Sequence, residues 1–203
     1  MTDPCEQSFV ENQDTCEVVF AYHERTKHHF NRFASSLGYL DWANQPHPFR
    51  YYDGAVETRL ALDREPSPLA YDRIYELNAA PPALVCLGSV ADLFRYSLAL
   101  TAWKQAGTNR WALRVNPSSG NLHPTEAYVL VKSLGGEQDM PGLYHYVSET
   151  HSLERRAPLA EEVWQLLMGH LPEGSFLVGL SSIIWREAWK YGERAFRYCQ
   201  HDM

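Results

Sequence analysis

Two short stretches of this sequence carry residue types in arrangements that could do chemistry. Residues 114–124 read Arg-Val-Asn-Pro-Ser-Ser-Gly-Asn-Leu-His-Pro. A Pro-Ser-Ser-Gly turn presents small side chains, backbone N–H groups and two hydroxyls where a large planar ligand can approach closely. Such a loop suits the polar edge of a flavin ring. Arg114 could pair with a phosphate, or with the negative charge that collects on one edge of a reduced ring. On composition alone, the same residues also read as an ordinary tight loop between a helix and a strand.

Residues 189–198 read Trp-Lys-Tyr-Gly-Glu-Arg-Ala-Phe-Arg-Tyr. If Trp185 to Met203 is one helix, Lys190, Arg194, Arg197 and His201 share a face at spacings of four, three and four. Trp185, Trp189, Phe196 and Cys199 then form an aromatic wall beside that basic stripe. Spacing alone fits a solvated amphipathic helix equally well.

These stretches must be held by the rest of the chain. Helical spacing runs from Val18 through Phe33, and a second helix is expected from Ser89, as N-cap, to about Gln105, with Gly107 as its stop. Glu126–Lys132 and Leu143–Val147 read as strands around a turn at Leu134-Gly135-Gly136. Ala160–Leu171 reads as a helix ended by Pro172 and Gly174. Phe176–Ile184 is apolar enough for a central strand buried on both faces. Residues 38–82, with Pro46, Pro48, Pro66, Pro68, Pro81 and Pro82, form an extended, packed arm. The domain is mixed α and β.

Both stretches also resemble known motifs. Pro117, Ser118, Ser119, Gly120, Asn121, Leu122, His123 and Pro124, followed by Glu126 and Tyr128, are similar to the P-S-a-G-a-L-y-P flavin-contact segment of the SagB-type dehydrogenases. These are a branch of the FMN-dependent nitroreductase family. His123 stands where that branch has Tyr. Lys190, Tyr191, Gly192, Glu193, Arg194, Phe196, Arg197 and Tyr198 resemble its K-Y-G-E-R-g-y-R-y signature. Gly142-Leu143-Tyr144-His145-Tyr146 and His151-Ser152-Leu153-Glu154 look like two further pieces, so the resemblance covers about residues 88–203.

The resemblance implies an α+β nitroreductase-like fold, with a central, mainly antiparallel sheet flanked by helices, and a homodimer with FMN at its interface. It implies Lys190 and Tyr191 as catalytic residues, and Arg114, Pro117, Ser118, Ser119, Gly120 and Arg194 as cofactor-binding ones. The activity implied is FMN-dependent oxidation of azolines to azoles during peptide maturation. There a base, Lys or Tyr, removes a ring proton while hydride leaves to the flavin. The rivals are a general nitroreductase using NAD(P)H as electron donor, and a non-catalytic scaffold that docks peptide-maturation proteins through the arm. No Arg-Arg-Ser-type phosphate segment is evident, and His28, His29, Arg32 and Arg59 stand as candidates in its place.

Composition narrows the field further. With 203 residues, 45% hydrophobic and 13% aromatic, the chain has material for a real core. The net charge of −7 owes much to residues 1–17, which hold Asp3, Glu6, Glu11, Asp14 and Glu17 and no Lys or Arg. The expected organisation is a flexible acidic leader (1–17), an N-terminal helix and aromatic arm (18–87), and the N-terminal part of a nitroreductase-like domain (88–203). A final helix that runs to Met203 without a stop leads to the expectation that this domain is cut short. Without dense Lys/Arg clusters, nucleic acid is an improbable partner. No stretch approaches the roughly 18 consecutive apolar residues of a membrane span, so a cytoplasmic location is expected. The cysteines Cys5, Cys16, Cys86 and Cys199 form no C-x-x-C pair and read as free thiols. The nine histidines include no H-E-x-x-H, and neither Ser118 nor Ser119 sits in a G-x-S-x-G elbow, which argues against metal and hydrolase sites.

Overall fold

In the computed structural model, residues 4–62, 65, 69–80, 83–135 and 140–203 are described, with side chains from Thr15 onward. Pro66, Pro68, Pro81, Pro82 and Gly136, together with the side chain of Cys5 and the charges of Asp3, Glu6, Glu11 and Asp14, lie outside the described part.

The first helix, α1 (Pro4–Thr26), begins well before the expected Val18. Proline is tolerated in a first helical turn, and no Gly or further Pro interrupts the residues that follow. The helix stops at Thr26, short of Phe33, where His29 and Arg32 close a turn by exchanging backbone hydrogen bonds. The Pro-rich arm then runs largely without regular structure and contributes the short strand β1 (Glu57–Arg59).

Helix α2 (Leu87–Ser97) is shorter than expected, with Cys86 as its N-cap and Ser89 at the third helical position, bonded back to the Cys86 N–H. The residues expected to prolong it instead form β2 (Leu100–Ala106), paired with β3 (Asn109–Arg114) in a two-stranded hairpin. Gly107, at φ +59°, is therefore the first residue of a two-residue hairpin turn, where a positive φ is required, and it ends no helix. Strands β4 (Thr125–Val131) and β5 (Gly142–Val147) lie where the apolar run and the aromatic alternation place them, and β6 (Ser152–Pro158) follows. Helix α3 (Glu161–Met168) and strand β7 (Leu177–Ser182) come next. The final stretch is two helices, α4 (Ile184–Tyr191) and α5 (Ala195–Asp202), joined through a tight turn at Gly192–Arg194.

The main sheet is antiparallel throughout, in the order β1-β6-β5-β4-β7. Its two faces differ in kind. On one, Ala127, Val129 and Val131 of β4, with Tyr144, Tyr146 and Leu153, meet Val90, Ala91 and Phe94 of α2. The Phe94 and Tyr146 rings stack at 4.3 Å. Burying a side chain the size of Phe94 contributes about 1.5–3 kcal/mol. The other face presents Glu126, Tyr128, His145 and Glu154, because successive strand residues point to opposite sides. Strand β7 is an edge strand, which corrects the expectation of a centre strand buried on both faces: Leu177, Val178 and Leu180 are all more than 40% exposed. An apolar run signals that cover is wanted without saying what supplies it. No described helix is long and apolar enough to cross a membrane.

Candidate active site

The two stretches singled out in the sequence meet in space. The loop after β3 folds into a single tight turn at Ser119–Asn121, closed by the Asn121 N–H donating to Ser118 O at 3.0 Å. The Ser118 hydroxyl accepts from the His123 N–H at 2.8 Å. Gly120 sits at φ +68°, and a Cβ placed on it would come within 2.7 Å of Tyr191 Oη and 2.9 Å of Lys190 Nζ. The glycine is thus required twice, by its backbone conformation and by the close approach of the α4 C-terminus.

Helix α5 holds the loop from the other side. The Asp202 carboxylate accepts from the Ser119 N–H at 2.9 Å and from the Ser119 hydroxyl at 3.1 Å, while its carbonyl accepts from the Thr125 hydroxyl at 3.0 Å. Asp202 is a site residue that sequence reasoning missed, since 83 residues separate it from Ser119.

Gly192, at φ +55°, breaks the single helix that would align Lys190, Arg194, Arg197 and His201, and the expected basic stripe is not formed. Lys190 faces the loop. Arg194 is buried, donates to His28 Nε2 at 3.0 Å and to Tyr198 Oη at 3.2 Å, and lies over both the Tyr191 and Tyr198 rings. Those rings are 4.2 Å apart, so Arg194 buttresses Tyr191. Arg197 turns to α1 and donates to the Thr26 hydroxyl and His23 O. The aromatic wall divides as well. Trp189 packs against Trp42 of the arm and donates to Asp41 O, Phe196 meets Tyr22 of α1, Cys199 is buried, and Trp185 is exposed.

Arg114 is held by the arm: its guanidinium donates to Pro48 O at 2.6 Å and lies over Phe49. Burial lowers its pKa to about 10, and its Nε has no partner among the described residues. Pro117 is exposed beside the turn. His123 is buried at φ +50° with Nε2 beside Asn121 Oδ1, and burial and then Arg114 push its pKa down to about 4. The phosphate candidates are scattered. His28 meets Arg194, His29 and Arg32 both contact Glu24 O, and Arg59 lies on the edge strand β1.

Three buried carboxylates lie behind this site. Glu126 links His145 Nε2 at 2.7 Å and Arg186 Nη1 at 2.6 Å, and His145 Nδ1 stands 3.0 Å from Glu154, whose carboxylate also receives the Tyr52 N–H. Arg186 further donates to His123 O, tying α4 to the loop. Glu187, the next residue of α4, is fully buried, and neither carboxylate oxygen has a hydrogen-bond partner among the described residues. Burial first, and then the charge of Asp202, raise its pKa to about 8, with Lys190 opposing. The sequence marked neither Arg186 nor Glu187. A charged pair on an otherwise aromatic helix was the available signal.

No family model matches the sequence, and no curated protein does. Among solved structures, a candidate nitroreductase from Anabaena variabilis aligns with 91% of this chain at 31% identity and a TM-score of 0.67. This chain covers 36% of that structure's length. A chain of the E. coli microcin synthetase McbBCD complex aligns at 18% identity and a TM-score of 0.44, too slight to bear on the fold. With its antiparallel sheet flanked by helices, the chain has a nitroreductase-like α+β fold.

Proposed function

We propose that this chain is part of an FMN-dependent oxidoreductase whose proton-handling residues are Lys190 and Tyr191. The observation that carries the reading is the convergence at Gly120, where a loop with no side chain in the way meets Lys190 Nζ and Tyr191 Oη. The residues present that would meet FMN are the small side chains of the Ser118–Gly120 turn and the guanidiniums of Arg114 and Arg194, whose buried Nε atoms lack partners among the described residues, while the space beside Gly120 itself is taken by Tyr191 Oη and Lys190 Nζ. Pro117, Ser118, Ser119 and Gly120 would border the ring, and Arg114 and Arg194 would offset its negative charge. When bound, flavin supplies hydride transfer. The protein's part is to place Lys190 and Tyr191 where one of them removes or returns a proton, with Arg194 fixing the Tyr191 ring.

The finer reading is the SagB-type one: oxidation of azolines in a maturing peptide by a homodimer working beside other maturation proteins. It is supported by the motif pairs that the fold brings together. One observation favours a flavin-free member instead. Both polar donors of Ser119 are already engaged by Asp202.

Reconstitution with FMN decides between them. The first reading expects retained flavin absorbance after gel filtration. It also expects Lys190→Ala to cut turnover at least tenfold while retaining flavin. A protein that stays colourless, with Asp202→Asn colourless too, overturns the redox reading.

A further inference from the structure

Resting on the reading that Lys190 and Tyr191 handle protons, we infer that Glu187 is a third proton-handling group of this site, a buried carboxylic acid that exchanges its proton with the Lys190–Tyr191 pair. Geometry carries the inference. Glu187 precedes Lys190 by three residues and Tyr191 by four on α4, so all three lie on one side of the helix. Its side chain is fully buried, and both oxygens are without hydrogen-bond partners among the described residues. A carboxylate so placed is costly unless paired or neutralised by a proton.

The ion-pair network beside it gives the contrast. Glu126, also buried on the protein's interior side, has Arg186 and His145 within 2.7 Å and is fully partnered. Glu187 has no such cation in hydrogen-bond reach among the described residues. The groups that face it are Asp202 and Cys199 from α5, and Lys190 and Tyr191 from its own helix. Asp202 disfavours a second negative charge there, and Lys190 favours it.

The step involves no electrons. When Tyr191 or Lys190 has given a proton to a reduced product, the Glu187 O–H bond breaks and the proton, relayed by one water because neither group is in direct hydrogen-bond reach, restores the Tyr191 phenol or Lys190 ammonium. The carboxylate left behind is stabilised by the Lys190 charge until a proton returns from water. In the oxidative direction Glu187 first gives its proton to water, and the carboxylate so formed then takes the proton that the pair has removed from the substrate.

The test uses the full chain without flavin, so its outcome is independent of whether FMN binds. Infrared difference titration of protein labelled with carbon-13 at the glutamate side-chain carboxyl should show a protonated-acid C=O band at pH 7 that shifts with the label. The band should disappear as pH passes about 8, and be missing in Glu187→Gln. In parallel, ultraviolet titration of tyrosinate, with Tyr191→Phe to identify the signal, should show Tyr191 ionising at lower pH in Glu187→Gln than in the parent. The reason is that the Glu187 charge helps to hold that phenol protonated. Absence of a glutamic-acid band at pH 7 overturns the inference, and the labelled parent protein decides this even if Glu187→Gln does not fold. So does a Tyr191 titration unmoved by the substitution. Loss of flavin binding with both signals present would instead sink the redox reading and leave the proton coupling standing.

Discussion

Two clusters of buried charge lie within a few residues of each other, and they are built on opposite principles. On the polar face of the sheet, Glu154, His145, Glu126 and Arg186 form a continuous chain in which each carboxylate has a donor and the Arg186 guanidinium has two acceptors. At the α4–α5 junction, Glu187 has no hydrogen-bond partner among the described residues, Asp202 reaches across to a loop, and Gly120 is pressed against Lys190 and Tyr191. A satisfied network fixes where elements sit. An unsatisfied one holds groups in a state that a ligand or a proton can change, which is why strongly shifted carboxyls gather at sites of chemistry. The first cluster reads as the frame and the second as the moving part.

The sharpest way to break this contrast is to cut the frame. Glu126→Ala leaves Arg186 and His145 buried without their shared acceptor and should cost about 3–5 kcal/mol in urea unfolding. A loss below about 1 kcal/mol would mean the network is no more structural than a surface pair. A smaller effect is expected at the loop. Gly120→Ala must adopt φ +68° and meet Tyr191 Oη, and should cost about 1–2 kcal/mol. It should also remove any flavin binding, a combination that the frame positions would not share.

Glu187 gives the two clusters different pH behaviour. Its folded pKa, about 8, lies above the ordinary carboxyl value of 4.5, so between those limits the folded state holds a proton that the unfolded state has released. Stability is therefore fully present at low pH and falls as pH rises through that window, by at most about 1.4 kcal/mol per unit, then levels above it. Glu187→Gln should flatten the decline in thermal melts taken across this range, and an unchanged slope would assign the effect to other groups. The smallest change is expected at the Arg25–Glu193 ion pair, where both side chains are more than half exposed. Arg25→Ala should cost under about 1 kcal/mol and lose even that at high salt, which calibrates the rest.

Much of the frame could be read from residue order. The run of Tyr128, Val129, Leu130 and Val131 marked β4, and the aromatic alternation of residues 143–147 marked β5. The β2–β3 hairpin was not legible, because Leu98, Leu100 and Thr101 also continue a helical face, and Gly107 serves equally as a helix stop or a turn. Gly192 was visible as a glycine within a helical run, which a helix can tolerate as well as break at, and its φ of +55° and the Leu37 side chain beside it are seen only in the fold. At the site, both motifs were visible in the sequence, but their meeting was not. The roles of Asp202, Arg186 and Glu187 depend on neighbours 60 or more residues away or on burial, and neither property is written in local spacing.

The outer edge of β7 carries a further consequence. Among the described residues its backbone pairs with β4 on one side only, and Leu177, Val178 and Leu180 stand in contact with water. Edges of this kind are templates for strand addition, and proteins usually blunt them with charge, proline or a bulge. Residues 177–182 contain none of the first two. An edge of this kind is a surface on which copies of this chain can add strands as concentration rises.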